Sequence, residues 1–281
     1  MTNKSGILRQ KCRLGKVDFD DDGECEEDLT IGIGFRCSNG VLLAGDRLRT
    51  TRNDVLKFVT KVRGFSPRKG LYGAMVGAGS SGYLDAVCER FNGRLKAGMT
   101  VGKARSAIDE ACKQMYETYM KSGDGDEPHF SFLLALSCRK GGFQLFQGAS
   151  GVPLSAVEDN YTSIGKGAAL ANCLVRTLYS WDVTCLDITC EEAACVSAGV
   201  IRLVKRYVSG CGGGTNIIAV MPEGLVRPES VRARKEVEEH FLKFFKPVRV
   251  DLQKFIRREC QNPLLVRRFP REEKTGRGSQ S

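Results

Sequence analysis

A threonine, an aspartate, a lysine and a glycine-rich stretch early in this chain are of types that can do chemistry together: Thr30, Asp46, Lys61 and M-V-G-A-G-S-S around Gly77. A threonine hydroxyl is a poor nucleophile at neutral pH and needs a base beside it. When threonine is the first residue of a chain, its own α-amine can take the proton, since that amine titrates near pH 8. A charged lysine nearby lowers the amine's pKa and helps carry the proton, and an aspartate keeps the lysine ionised and oriented. Backbone N–H groups at a glycine turn can stabilise an oxyanion. Taken singly, each residue also has an ordinary reading: a strand threonine, a turn aspartate, a solvated lysine. G-A-G-S-S is too short of the remaining spacing to specify a phosphate loop.

The elements that must position these residues are legible from periodicity. Residues 1–29 are polar, without a sustained period, and locally acidic (D-F-D-D-D-G-E-C-E-E-D), and read as a leader. L-T-I-G-I-G-F-R then alternates with period two, S-N-G signals a tight turn, and V-L-L-A-G-D supplies the return strand, a hairpin ending on Asp46. V-L-K-F-V-T-K-V is a further alternating segment, and L-Y-G-A-M-V-G-A-G a buried strand. Ser80 and Ser81 can cap a helix S-S-G-Y-L-D-A-V-C-E-R-F. In the next helix Ala104, Ile108, Ala111, Met115 and Tyr119 recur at three- and four-residue steps. Strands F-S-F-L-L-A-L-S and G-F-Q-L-F-Q, the turn G-A-S-G-V-P, and Y-T-S-I-G-K-G leading into helix A-A-L-A-N-C-L-V-R-T-L-Y follow. Thr189 with Glu192 three residues on is a capping-box signature for a helix running to Tyr207, and T-N-I-I-A-V-M is a last strand. A charged helix is expected near P-E-S-V-R-A-R-K-E-V-E-E-H-F-L-K-F-F. Strands and helices come in clusters, which fits two packed sheets with helices outside better than an alternating parallel sheet.

Composition narrows the function classes. With 281 residues and 42% hydrophobic content, the chain fits one large domain with tails or two small ones. No apolar run approaches the roughly 20 residues that cross a bilayer, and the start has no signal-peptide core, so a soluble cytoplasmic protein without membrane partners is expected. The twelve cysteines include no C-x-x-C pair and most lie inside apolar segments. With only His129 and His240 besides, zinc-ligand spacing is absent, and free thiols used as small core hydrophobes are expected. The net charge of +10 concentrates after Leu225. A solvated appendage is preferred there over a nucleic-acid-binding tail.

The order of motifs resembles a proteasome β-type subunit, a family of N-terminal-nucleophile hydrolases. T-I-G-I-G-F-R-C-S-N-G-V-L-L-A-G-D is similar to that family's opening, with Thr30, Gly40 and Asp46 at its threonine, glycine and aspartate. Lys61 in T-K-V matches its lysine with about one residue deleted. M-V-G-A-G-S-S, Y-T-S-I-G-K-G-A-A-L-A and S-G-C-G-G-G-T-N-I-I-A-V resemble its later turns, and the likeness covers about 29–224. Bacterial proteasome-like peptidases of the same fold are an equally good match. Three departures stand out: Leu29 precedes Thr30 where self-processing members carry glycine, Lys166 replaces a serine, and an aspartate near the last glycine turn has Ser209 as its nearest polar counterpart.

The resemblance implies an α+β, four-layer αββα sandwich, two antiparallel sheets flanked by helices. It divides the chain into a leader or propeptide (1–29), the hydrolase domain (30–224) and a basic, partly helical extension (225–281). It further implies a threonine peptidase with Thr30 as nucleophile, Asp46 and Lys61 assisting, Gly77 as oxyanion donor and Met75 lining the substrate pocket. Lys166 and Ser209 are secondary candidates, and no metal or organic cofactor is required. Subunits of this family form six- or seven-membered rings, homo- or hetero-oligomeric, that enclose a chamber for protein or peptide substrates and work with an ATPase unfoldase. Two rivals remain open: a non-catalytic ring subunit, suggested by Leu29, and a binding protein acting through its basic C-terminal region.

Overall fold

The computed structural model describes residues 30–227 apart from 51–55, 69, 80, 97, 123–129, 140–141 and 180–186. The leader and the charged helix expected after Pro222 lie outside the described residues, as does most of the C-terminal extension. Among the described residues the chain runs through β1 (Gly32–Cys37), β2 (Gly40–Asp46), β3 (Leu48–Thr50), β4 (Leu56–Phe58), β5 (Val62–Arg68) and β6 (Leu71–Gly79). Helices α1 (Ser81–Arg94) and α2 (Val101–Ser122) follow, then β7 (Phe130–Cys138), β8 (Gly142–Ala149), β9 (Val152–Ala156) and β10 (Tyr161–Ile164). Helices α3 (Ala168–Leu178) and α4 (Cys190–Tyr207) lead to β11 (Thr215–Met221) and β12 (Gly224–Val226).

The strands form two five-stranded antiparallel sheets, ordered β10-β1-β2-β11-β12 and β5-β6-β7-β8-β9, with β3 and β4 as a separate ribbon. Three apolar clusters define the layers. Ile31, Ile33, Phe35, Leu42 and Ala44 pack with Leu174, Val200, Ile201 and Val204 of α3 and α4. Leu71, Met75, Leu134 and Leu136 pack with Tyr83, Val87, Phe91, Ile108 and Ala111 of α1 and α2. Val41, Leu43, Val62, Val76, Leu133, Leu145 and Ile218 fill the space between the sheets. Because side chains alternate across a strand, both sheets are apolar on both faces, so two helix layers must cover them. The expected αββα sandwich is what forms.

The glycines of T-I-G-I-G-F set how closely the sheets approach. A Cβ on Gly34 would meet Leu145 and Leu133 at 3.0–3.2 Å, and one on Gly32 would meet Ile164 at 2.8 Å. The alternation of isoleucine and glycine therefore places bulk toward α4 and bare backbone toward the second sheet.

Most expected elements appear within a residue or two of their sequence signals. Thr189 forms the full capping box, its Oγ1 accepting from Glu192 N at 3.3 Å while Glu192 Oε2 accepts from Thr189 N at 2.8 Å. The eight cysteines among the described residues are free thiols. V-L-K-F-V-T-K-V differs: its single alternating run is split, with β4 pairing β3 and β5 pairing β6. No glycine or proline marks the break, so alternation alone could not reveal that the chain leaves one pairing for another at 59–61. G-A-S-G-V-P likewise holds the start of β9, since a strand signal of five residues with one buried side chain is faint.

Candidate active site

Antiparallel order gathers the site. In a sheet whose neighbours run oppositely, the start of β1, the end of β2, the start of β11 and the end of β10 share one edge. The registers agree: Gly32 lies opposite both Gly45 and Ile164, and Thr215 lies opposite Asp46. The second sheet presents the start of β5 at the same end, where Val62 opposes Val76.

Thr30, Asp46 and Lys61 meet here. Thr30 is 5% exposed and Asp46 fully buried, while the Lys61 side chain is 10% exposed. Lys61 Nζ donates to Asp46 Oδ1 at 2.9 Å and also to Thr30 Oγ1. Asp46 accepts two further N–H groups: Gly212 N on Oδ2 at 2.9 Å and Ile31 N on Oδ1 at 3.4 Å. A carboxylate removed from water loses several kcal/mol of solvation. Three donors converging on Asp46 replace the water it has given up.

The Thr30 backbone is fixed from the other side by the turn after β10. Thr30 O accepts from Gly167 N at 3.3 Å. Gly165 has φ +85°, and a Cβ there would collide with Thr30 O, so conformation and space both require glycine. Lys166 is exposed on this turn.

Gly77 belongs to β6, opposite Phe132 of β7, and the β5–β6 register carried one residue further sets it across from Lys61. A Cβ on Gly77 would strike the Leu84 side chain at 2.5 Å. Met75 is 2% exposed under α1, with Cys88 Sγ at 3.9 Å from its sulfur and Arg63 as its cross-strand neighbour. Arg63 is ion-paired with Asp85 of α1. Ser209 is exposed in the turn after α4.

Three groups at this end were not singled out from the sequence. Gly212 donates its N–H to Asp46. Cys211, 6% exposed, has its thiol pushed up to about 11, first by burial and then by Asp46, while Lys61, Lys166 and Lys205 pull it back. Lys205 donates to Gly213 O and Thr215 Oγ1, both at 2.9 Å. The signal available was the run S-G-C-G-G-G, too many glycines for an ordinary helix end. The partner of Gly212 lies 166 positions away in the chain, which no local pattern encodes. Among the described residues no cluster of three or more His, Cys, Asp or Glu side chains could hold a metal ion, and no helix is long and apolar enough to cross a membrane.

Chemically, the arrangement offers a buried hydroxyl in contact with an ammonium that is itself held by a carboxylate. It lacks a base on the hydroxyl. In the continuous chain the Thr30 nitrogen is a peptide amide and cannot serve as one.

No family model matches the chain. The chain is 28% identical over 197 residues to proteasome subunit beta 1 of Thermococcus onnurineus (strain NA1), a match spanning 69% of this chain and 90% of that relative. Among solved structures it is similar to Anbu (ancestral beta-subunit) from Yersinia bercovieri, with TM-score 0.65, 14% identity and coverage of 79% of this chain and 97% of that one. The helical assembly of the Anbu complex from Pseudomonas aeruginosa gives TM-score 0.61 at 13% identity, covering 82% and 96%. The structural likenesses establish a proteasome-like fold, and the curated relative supports kinship with proteasome-like proteins.

Proposed function

We propose that this protein is a threonine peptidase of the proteasome-like kind, in which Thr30, once freed as an N-terminal residue, attacks peptide bonds. The observation that carries the reading is Lys61, which touches the Thr30 hydroxyl and Asp46 at once. A buried lysine placed only for stability has no need of a threonine hydroxyl at the edge of a sheet.

In the proposed reaction the freed Thr30 α-amine takes the Oγ1 proton as Oγ1 attacks the substrate carbonyl. The oxyanion of the tetrahedral adduct is held by N–H donors near Gly77. The proton passes to the leaving amine, which departs and leaves an ester on Thr30. Water, activated by the same amine, hydrolyses that ester and restores the hydroxyl. Lys61 keeps positive charge beside the amine, which favours the amine's neutral, basic form. Asp46 holds Lys61 in place. Met75 would shape the adjoining pocket, with Lys166 as a further charge near the amine. The substrate is a peptide or unfolded protein, the location cytoplasmic, and the working unit an oligomer enclosing its sites, served by an unfoldase.

Leu29 sets a condition on this chemistry. Self-cleavage in such hydrolases needs the residue before the nucleophile in a conformation that glycine reaches without strain, and leucine does not. On this reading the Leu29–Thr30 bond has to be cut by another protease. Leu29 is also what favours the second reading, a subunit of the same fold that stays unprocessed and serves only in assembly.

The test is a protein released from a fusion partner so that it begins at Thr30. Mass spectrometry should find one adduct with an electrophile that requires both the α-amine and the hydroxyl, and peptide hydrolysis should appear. Thr30→Ala should lose at least about a thousandfold in rate, the scale for removing a nucleophile. A folded, Thr30-initiated protein that neither labels nor hydrolyses peptides leaves only the assembly role.

A further inference from the structure

Lysine in the last turn of a helix usually needs no special account, because its charge opposes the negative end of the helix dipole. Lys205 does more than that. Its ammonium passes beyond the end of α4 to Gly213 O and Thr215 Oγ1, each at 2.9 Å. Both acceptors lie just after Gly212, the residue of this turn that matters most to Asp46. Gly212 N donates to Asp46 Oδ2, and Gly212 O accepts from Arg47 N at 3.2 Å and Leu48 N at 3.1 Å. Thr215, 4% exposed, is the residue directly opposite Asp46 in the ladder between β2 and β11.

The turn it grips is inherently loose. Gly210 and Gly213 adopt φ of +83° and +69°, and Gly212 and Gly214 add two more residues without side chains. Glycine loses more conformational freedom on folding than any other residue, so such a turn holds one shape only if something outside it supplies bonds. Beside the bonds that Asp46, Arg47 and Leu48 make to Gly212, Lys205 supplies one to Gly213 within the turn and one to Thr215 just after it. Its charge is also felt by Cys211 in the middle of the turn, together with those of Lys61 and Lys166.

We propose that Lys205 is a positioning residue: by clamping the glycine turn it aims the Gly212 N–H at Asp46, and Asp46 in turn aims Lys61 at Thr30. The proposal rests on the peptidase reading for its kinetic consequence, and on the hydrogen-bond chain alone for its structural one. The chain runs from Lys205 to Gly213 and Thr215, through Gly212 to Asp46, and from Asp46 to Lys61 and Thr30.

The experiment uses the protein that begins at Thr30, as wild type and as Lys205→Met, Lys205→Arg and Thr215→Val. Arg206→Gln serves as a control that removes a neighbouring exposed charge from the same helix turn. Amide hydrogen exchange is followed at Gly212 and Ile31, the two backbone donors on Asp46, against Leu43 in the middle of β2 and Val220 toward the far end of β11. Lys205→Met should speed exchange at Gly212 and Ile31 while Leu43 and Val220 stay protected. Its kcat should fall about tenfold or more with KM little changed, the pattern of a misaligned reacting group and not of weakened substrate binding. Lys205→Arg should recover much of both effects, and Thr215→Val, milder for folding, should show a weaker form of them. Exchange that rises uniformly over the sheet, or not at all, overturns the proposal, as does unchanged kcat in an active protein. If the wild type is itself inactive, the peptidase reading fails, and selective exchange at Gly212 and Ile31 still decides whether Lys205 sets the turn.

Discussion

The two sheets match in strand number and antiparallel pairing, but they bury different chemistry. Among the described residues, the sheet containing β1 and β2 and its immediate ends hold Thr30, Asp46, Ser163 and Thr215 as buried polar groups. The sheet containing β6 and β7 holds Ser137, and otherwise buries Leu71, Met75, Leu133, Leu134, Leu136 and Phe146. Stability alone would favour the second pattern everywhere, since a buried charge pair is seldom better than apolar packing of the same volume. A charge pair sits at one end of the first sheet, Asp46 of β2 with Lys61 from the residue before β5, and Asp46 takes further donors from the residue before β1 and the turn before β11. The difference marks the first sheet as the one that buries most of the site's polar groups, to which the second sheet adds Lys61 from the residue before β5.

The sharpest way to break this contrast is to remove Asp46. Asp46→Ala leaves the Lys61 ammonium in a nearly closed site without its carboxylate and should cost about 3–5 kcal/mol. Lys61→Met in the same background should recover a good part of it. Urea unfolding of the two single variants and the double variant measures the coupling. A loss below about 1 kcal/mol, the scale of an exposed pair, would contradict the burial argument.

Next in size is a cavity in the other sheet. Leu133 is fully buried between the sheets, and Leu133→Ala should cost about 3 kcal/mol. Labelling of the Thr30-initiated protein, counted per folded molecule, should nevertheless stay at the wild-type level. If labelling per folded molecule falls below the wild-type level, the division between the sheets is false.

The smallest effect is a pH dependence shared by both halves. Burial raises the Cys211 thiol at the site and the Cys88 thiol under β6 to about 11. An unfolded cysteine titrates near 8.5, so the folded form holds its proton where the unfolded form releases it. Each thiol's contribution is thus complete below about pH 8.5 and lost as pH rises toward 11, at up to about 1.4 kcal/mol per pH unit. Comparing urea midpoints at pH 8 and pH 10, the drop should be smaller in Cys211→Ala and in Cys88→Ala than in wild type. An unchanged drop in either variant means that thiol is not held protonated by the fold.

Much of this protein was determined by its sequence alone. The period-two run from Thr30, the turn at Ser38–Asn39 and the return to Asp46 specify a hairpin because alternation and turn residues are local properties. The Thr189–Glu192 box specifies a helix start for the same reason. Clustering of strands and helices favours two packed sheets with helices outside over an alternating parallel sheet. Thr30, Asp46 and Lys61 could be singled out because their spacing resembles a known pattern, although nothing local says that they touch.

Tertiary structure decided the rest. It bent the chain at 59–61 so that Lys61 leaves an alternating segment and enters the site. It brought Gly212 to Asp46 across 166 positions of sequence, and reached from Lys205 on α4 to the turn beyond it. It also left Ser209 at the surface and put Cys211 inside. Such choices depend on which strand ends share an edge, and antiparallel order fixes that only once both sheets have formed. A hydrogen bond between distant residues leaves no periodicity behind, whereas the helices and strands that make it possible do.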